Sequence, residues 1–576
     1  MYGMYGARGL KTRTRLPLLA ALFFLVPPLF TGADPFTMIS PGDPLLEDLR
    51  LVVREGGKSF LSLTPPLSRD EARQILEGID PASLSLPARE RYRRILDNLA
   101  PALTYESPGF AESSGFAAAI HLKAALEGRF RANTAVPWLK KDNTSQALLG
   151  LPIHLFFAGA LELFAEPLAA ADPWYYNHPP SSWGTNVPWE AQRFDLNMPL
   201  RAFAAAGGPW WSFQLGRDTL SFGPGRTGNL AVSNNPDYYD FVRVGLFSQN
   251  FKYSLLVSQT PMNAEKLIGE PFKSNQEFMR GLRETTGYDV ETPHRYLYLH
   301  RFDARFFTKL SIGLSEGVMA GYSPLELRYL NPLMIFHSFF SWKDYPSWEI
   351  KDNNSNLLHE GDLNGSIFSL DLEWAFLPHW ALYGQIVINE FSTPYEQERF
   401  PDQPPPGMGY LLGAEYAGAL ANWAFSCYAE LVYTDPYLYI LSSPFASMIW
   451  MRRSSDLGTK DLRYAYFGHG EGRDMFLAAL GVSAAGEKLA LALDLSLKRQ
   501  GEHGLAWDWD KRYNSQNSPS GNPETLIRTL LSVEYRLLPS LTLSGHAGGT
   551  LIFDAGHVRG NREYGFEAGL KAAYYY

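Results

Sequence analysis

The spacing between strand-like segments constrains this chain more than any other feature. From Gly115 onward, runs of alternating apolar and polar residues are joined by connections that switch between very short and very long. Six are tight: Ser248-Gln249-Asn250, Thr308-Lys309, Leu377-Pro378-His379, Ala419-Leu420-Ala421, Ala485-Gly486 and Leu538-Pro539-Ser540. Between them stand long polar stretches at Pro261 to Arg295, Ser341 to Gly365, Phe391 to Gly407, Asp435 to Arg473 and Arg499 to Thr525. Antiparallel strands that cross a bilayer as hairpins keep this parity, with turns at one end and loops at the other. A soluble sandwich accounts for the alternation but has no reason to keep the parity.

The alternation itself is nearly free of error. Phe368, Leu370, Leu372, Trp374 and Phe376 share one face against Ser369, Asp371 and Glu373. Leu489, Leu491, Leu493, Leu495 and Leu497 oppose Lys488, Asp494, Ser496 and Lys498, and the last segment sets Phe566, Leu570, Tyr574 and Tyr576 against Glu567 and Lys571. One face suits lipid and the other water, so the expected barrel is greasy outside and wet within. About seventeen segments are countable. A single-chain barrel takes an even number, which predicts eighteen strands, with sixteen as the next choice. Gly115 to Asn133 and Ala147 to Ala165 are unusually long, and one of them is expected to conceal a second strand.

Composition agrees. Aromatics make up 14% and charged residues 19% of the 576 residues, with 31 Tyr, 36 Phe and 50 Gly, which suits many strands with aromatic girdles. The mean hydropathy of -0.18 argues against a helical membrane protein. Lys11, Arg13 and Arg15 precede the uncharged run Leu16 to Gly32, and Ala33-Asp34 follows. That order reads as a secretory signal peptide over residues 1–33, since the run is short for a span and broken by Pro27-Pro28. The lone cysteine, Cys427, excludes an internal disulfide, and a net charge of -9 gives no footprint for nucleic acid.

Residues 34–114 read as a small helical domain with a linker, expected on the periplasmic side, ahead of a barrel over 115–576. Asp43 caps a helix that has Pro44 at its first position and stops at Gly56-Gly57. Ser68 and Glu71 form a capping box before Ala72, Ile75, Leu76 and Ile79. Tyr92, Ile95, Leu96 and Leu99 share the face of a third helix.

One stretch stands apart. After the strand marked by Phe213 and Leu215 come Gly216-Arg217, Phe222-Gly223-Pro224-Gly225 and Ser233-Asn234-Asn235. These residues, with Tyr329-Leu330-Asn331-Pro332 and the helices before the barrel, resemble the Wzi-type capsule assembly family of outer-membrane proteins. Phe222 stands where that family has Trp, and Pro236-Asp237-Tyr238-Tyr239 departs from its usual continuation. The resemblance implies a non-catalytic barrel with a small periplasmic helical domain that binds capsular or other surface polysaccharide and helps attach it to the cell. It brings no cofactor. The final Tyr574-Tyr575-Tyr576 resembles the C-terminal signature of bacterial barrels, which implies the insertion machinery and outer-membrane lipid as partners.

Candidate glycan contacts follow from chemistry. Arg226, Asn234 and Asn235 offer donors and acceptors for hydroxyls, although glycine and asparagine also build ordinary turns, and a turn folded into the barrel mouth is the commoner use of such a stretch. Loop aromatics beside acids and amides, Trp342 and Trp348, Trp507 and Trp509, suit the C–H faces of sugars; each also suits loop packing. Trp174, Trp183 and Trp189 form a similar group. On the lumen face, Arg243, Arg301, Asp303 and Arg305 oppose His300, Phe302 and Phe306, which are expected to meet lipid. The charges read as ladders closing the interior, with a path for an anionic solute as the alternative. The twelve His show no metal-ligand spacing, and neither a catalytic constellation nor a P-loop nor a dinucleotide fingerprint is present in the sequence.

Overall fold

A computed structural model describes residues 38–99, 116–140, 147–157, 161–170, 182–187, 200–261, 294–321, 325–333, 347–351, 357–362, 364–390, 406–441, 445–453, 462–504 and 518–575. The predicted signal segment, the bridge over 101–114 and Tyr576 lie outside the described residues.

One antiparallel sheet of twenty-two hydrogen-bonded segments dominates these residues. Three strands are each interrupted once. The first, β1, comprises Phe116–Ile120 and Lys123–Arg131; β2 comprises Leu149–Gly150 and Ile153–Phe157; β3 comprises Leu161–Ala165 and Leu168–Ala169. Their registers run unbroken across the interruptions. The three-residue segment Trp183–Thr185 adds a short pairing beside the upper part of β1. Counting each interrupted strand once and leaving that segment aside, the described residues form eighteen strands. The other fifteen are β4 (Ala202–Gly208), β5 (Trp211–Asp218), β6 (Tyr239–Phe247), β7 (Phe251–Pro261), β8 (His294–Phe306), β9 (Leu310–Gly321), β10 (Asn364–Leu377), β11 (Trp380–Glu390), β12 (Gly407–Leu420), β13 (Trp423–Thr434), β14 (Met475–Ala485), β15 (Leu489–Gln500), β16 (Glu524–Leu538), β17 (Leu541–Phe553) and β18 (Arg562–Tyr575). Pairing of β18 with β1, from Glu567 with Arg131 to Tyr575 with Lys123, closes the ring. The concealed strand is in 147–165, which holds β2 and most of β3.

All six tight connections fall between consecutive strands at one end. Phe307 and Thr308 both take positive φ, 51° and 59°, as a two-residue turn requires to match strand twist. Aromatics gather near both rims on the outer face. Trp210, Phe251, Phe306, Trp374 and Trp380 stand exposed at the short-turn end, with Tyr410, Phe553 and Tyr564 at the other. Between them Leu370, Leu412, Leu431, Leu480 and Leu531 face outward. No helix among the described residues is long and apolar enough to cross a membrane.

Three helices form at the N-terminal end. In α1 (Pro44–Glu55), the Asp43 carboxylate accepts from Leu45 N at 2.9 Å and Gly56 closes the helix. Ser68 Oγ accepts from Glu71 N at 3.2 Å to start α2 (Arg69–Leu76). The capping box is half-built, because the Glu71 carboxylate turns to Lys252 on the barrel wall instead of reaching back. Ile95 and Leu99 bury one face of α3 (Leu86–Leu99), while Leu96 is exposed. The helices share a core with Ala417 and Ala424 of the wall, so they sit against the barrel at its short-turn end.

The expectation of a wet interior fails toward the long-loop end. There, inward residues Phe241, Leu256, Leu297, Leu299, Met319, Ile367, Leu411 and Leu477 pack against Leu220, Phe222, Leu230, Val232, Tyr439, Ile440, Phe445, Met448 and Phe467. The second group belongs to the connections β5–β6 and β13–β14. The β13–β14 connection was expected outside, whereas the β5–β6 stretch already read as a turn folded into the barrel mouth. They fold inward because their apolar residues bury against an apolar section of the wall, where each large side chain gains about 1.5–3 kcal/mol. A hairpin of Ile449–Arg453 with Leu462–Tyr466 extends the same core.

His300 departs from its expected contact with lipid. The segment after β9 doubles back over the outer face as a short 3-10 turn, Leu327–Leu330, and buries His300, Tyr298 and Val318 beneath Tyr329. His300 Nδ1 lies 2.7 Å from the Tyr253 hydroxyl and Nε2 lies 2.7 Å from the Tyr329 carbonyl. Phe302 and Phe306 stay exposed as expected.

Candidate functional site

Two segments from opposite ends of the barrel meet in its interior. From the short-turn end, the chain between α1 and α2 crosses the lumen over 59–68. From the long-loop end, the β5–β6 connection descends. Gly223 N donates to Leu63 O at 2.8 Å and Ser221 N to Pro65 O at 3.2 Å, joining the two.

The glycines explain why the descending loop takes this shape. Gly223 has φ of +132°, and a Cβ there would lie 2.5 Å from Asn229 Oδ1 and 2.6 Å from Gln385 Nε2, so a side chain at that place would push both amides aside at a backbone angle that favours glycine. A Cβ on Gly225 would lie 2.3 Å from Gly228 O. Asn229 stitches the bend from within: its Oδ1 accepts from Gly225 N at 2.9 Å and its Nδ2 donates to Ser221 Oγ at 2.8 Å. Phe222 N donates to Val232 O at 2.9 Å.

The wall then receives the loop. Glu430 of β13 accepts from Arg226 N at 2.7 Å, Thr227 N at 2.9 Å, Tyr383 OH at 3.0 Å and the Thr227 hydroxyl. Gln385 of β11 accepts from Leu230 N and donates to Phe222 O at 3.3 Å. A carboxylate taking this many donors is the arrangement expected of an anchor, since bonds to a charged group are worth about 1.5–3 kcal/mol each.

The crossing segment is held the same way. Ser59 N donates to Thr308 O at 3.0 Å, Phe60 N to Glu373 Oε1 at 2.7 Å and Ser62 Oγ to Asp303 Oδ2 at 2.8 Å. Arg54, at the C-terminal end of α1, reaches Glu373 at 2.6 Å and Glu415 at 3.3 Å. Lys252 Nζ donates to Thr64 Oγ1 at 2.8 Å and to Glu71.

The four lumen charges named from the sequence fall around this crossing. Arg301 forms a ladder along the wall with Asp303 at 2.6 Å and with Asp371. Arg243 donates to Thr64 O at 2.8 Å and to Pro66 O. Arg305 donates to Ser59 O at 3.4 Å and to Gln249 O at 2.6 Å. Asp303 takes Ser62 as described, so Arg243, Asp303 and Arg305 touch the crossing segment or its immediate anchor, and Arg301 acts through Asp303.

The candidate glycan contacts are scattered. Arg226 is inside the barrel. It grips Glu47 of α1 with both terminal nitrogens, at 3.1 and 2.9 Å, and lies 5.3 Å from the Tyr428 ring centre. Asn235 Nδ2 donates to Tyr466 O at 3.0 Å, and Asn234 is exposed at the long-loop end. Trp348 lies in the strand Ser347–Lys351, paired with Leu357–Asp362. Trp342, Trp507 and Trp509 lie outside the described residues, as do Trp174 and Trp189; Trp183 is exposed.

Sequence reasoning missed Glu430, Gln385, Glu415 and Arg54 as anchors. Their signal was an isolated polar residue on the inward face of a strand, or a cation at a helix end. A further aromatic also went unnoticed: Trp138 is buried in the first long connection, with the Arg129 and Arg131 guanidinium carbons both 4.7 Å from its ring centre. Among the described residues, no group of three or more His, Cys, Asp or Glu is placed to hold a metal ion.

No protein-family model matches the chain, and no curated protein matches it in sequence. Solved structures do. The chain is similar to Wzi, an outer-membrane protein involved in group 1 capsule assembly in Escherichia coli and described as a carbohydrate-binding β-barrel, at 14% identity over 93% of this chain and 98% of that one, with a TM-score of 0.52. OccK8 (OprE) of Pseudomonas aeruginosa aligns over 80% of this chain and 98% of its own at 9% identity and a TM-score of 0.37, too loose an overlay to carry an argument. The fold is thus that of bacterial outer-membrane barrels.

Proposed function

We propose that this chain is a non-enzymatic outer-membrane barrel that binds capsular or other surface polysaccharide through its long-loop end and supports its assembly or attachment at the cell surface. In this reading residues 1–33 are a signal peptide removed on export, the helices of 34–114 lie on the periplasmic side, and 115–576 form the barrel. Outer-membrane lipid and the insertion machinery are its other partners. Support comes from the likeness to a carbohydrate-binding barrel over 93% of the chain. The observation that carries the reading is the meeting of two inward segments, with Gly223 N on Leu63 O at 2.8 Å. A lumen occupied from both ends suits a holding surface better than a conduit.

A channel for oligosaccharides or small solutes is the second reading. It draws on the inward face of β15 and β16, where Asp494, Glu534 and Arg536 are exposed. Purified protein in planar bilayers separates the two. The holding function predicts silence, and loss of surface polysaccharide when the gene is deleted. Steady open steps with unchanged polysaccharide retention would favour the channel.

A further inference from the structure

The outer face of β8 and β9 breaks the uncharged band that β16 keeps from Leu537 to Ile527. On β8 the exposed Phe306 and Phe302 lead to His300; on β9 the exposed Leu314 leads to Glu316, the register partner of His300. His300 stands six positions from Phe306, at the short-turn rim. With a rise of about 3.4 Å per residue and a tilt of about 40°, that is about 15 Å, inside an apolar band about 25 Å tall and in its long-loop half. A polar group facing hydrocarbon at that depth is costly, and here the chain itself supplies the cover.

Residues 325–333 lie over this place with two unlike faces. Tyr329 and Leu330 turn to the wall and pack there with Tyr298, Val318 and Val257. The Tyr329 carbonyl accepts from His300 Nε2 at 2.7 Å, and Glu326 N donates to the Tyr298 hydroxyl at 3.0 Å. Leu325, Leu327 and Leu333 turn away and are 52%, 75% and 87% exposed. Arg328, which stands between them, pairs with Glu326 and lies 5.1 Å from the Tyr329 ring centre, so no lone charge is offered to lipid. The leucines continue the lipid-facing surface of Phe302 and Leu314 over the spot where the strands themselves turn polar. A segment held to such a wall by polar contacts and apolar on its far side matches acyl chains.

We propose that 325–333 is an intramembrane strap. It replaces the polar outer surface at His300 and Glu316 with leucine, and Leu325, Leu327 and Leu333 contact acyl chains of the leaflet on the long-loop side. The inference rests on the bilayer placement of the barrel and uses no residue assigned to polysaccharide, so it stands whether that reading holds or fails.

The test uses the full mature chain with Cys427→Ser as background, carrying Leu327→Cys or Leu333→Cys labelled with bimane, in dioleoylphosphatidylcholine vesicles. Doxyl-labelled phosphatidylcholine quenches from the hydrocarbon and iodide quenches from water. Leu314→Cys on the lipid-facing wall and Val558→Cys, exposed in the β17–β18 connection, calibrate the two. Both strap labels are expected to be quenched by doxyl lipid at least two-fold more than the label at position 558, and by iodide at least two-fold less, since an apolar segment at the boundary sinks about 5–10 Å into it. Either strap position alone decides the matter if the other variant fails to fold. Iodide quenching at the level of position 558, or shielding from both quenchers as burial against a second copy of the chain would give, would overturn the proposal.

Discussion

The two sides of the barrel interior are built on the same alternation and come out differently. On the side formed by β6 to β13, the inward polar residues Arg243, Lys252, Arg301, Asp303, Asp371, Glu373, Gln385, Glu415 and Glu430 are all buried. On the side formed by β15 and β16, Asp494, Glu534 and Arg536 are exposed. Pairing runs without a register shift from β12 through β16. What changes is the chain lying against the wall: backbone amides and carbonyls of 59–68 and 219–235 on one side, far less on the other. A charged residue on an inward strand face is therefore a clamp where main chain is offered to it and a wetted surface where none is.

The contrast is broken most severely at Arg54. Arg54→Met leaves Glu373 and Glu415 in a dry interior without their shared cation, and losing one partner of a buried pair costs about 3–5 kcal/mol. Hydrogen exchange of the amides in 59–68 should accelerate accordingly, while the amides of β15 and β16 keep their protection. Next comes Gly223→Ala. The new methyl meets Asn229 and Gln385 at a backbone angle that L residues rarely adopt, for a cost of about 1–3 kcal/mol. The descending loop should leave its seat, and planar bilayers should then show flickering conductance where the parent protein is expected to stay silent. Smallest is Arg536→Ala, expected to shift stability by no more than about 0.5 kcal/mol, as exposed substitutions do. A loss of 2 kcal/mol or more in a denaturant titration would mean that the exposed side is clamped as well.

Most of the barrel was legible because each strand residue declares its side by parity alone, and because short and long connections mark the two ends. The pair β2 and β3 was hard to separate: Phe156-Phe157 leads into Ala158-Gly159-Ala160 and on to Leu161, a junction with neither proline nor charge to punctuate it. The filled lumen was not legible. Tyr439 and Ile440 sit in a stretch, Asp435 to Arg473, that reads as a polar loop by composition, and a loop's direction depends on the wall it finds. The candidate site shows the same division. Gly223-Pro224-Gly225 announced a tight bend, and its role as a turn inside the mouth follows from local backbone chemistry. Its receptor, Glu430, lies more than two hundred residues away, with a separation of 204 positions from Arg226, and one sequence holds no record of that partnership. The reach of Tyr329 over His300 was hidden for the same reason.

The bond from Arg54 to Glu415 spans 361 positions, and the ring is sealed only when the last strand finds the first. Contacts of such span return nothing until most of the polymer has been made, so they belong late in acquisition of the native state. The N-terminal piece is thus a mandrel around which its own enclosure is wound. Any factor that delivers this chain to a bilayer has to keep that piece aligned with a cylinder that does not yet exist.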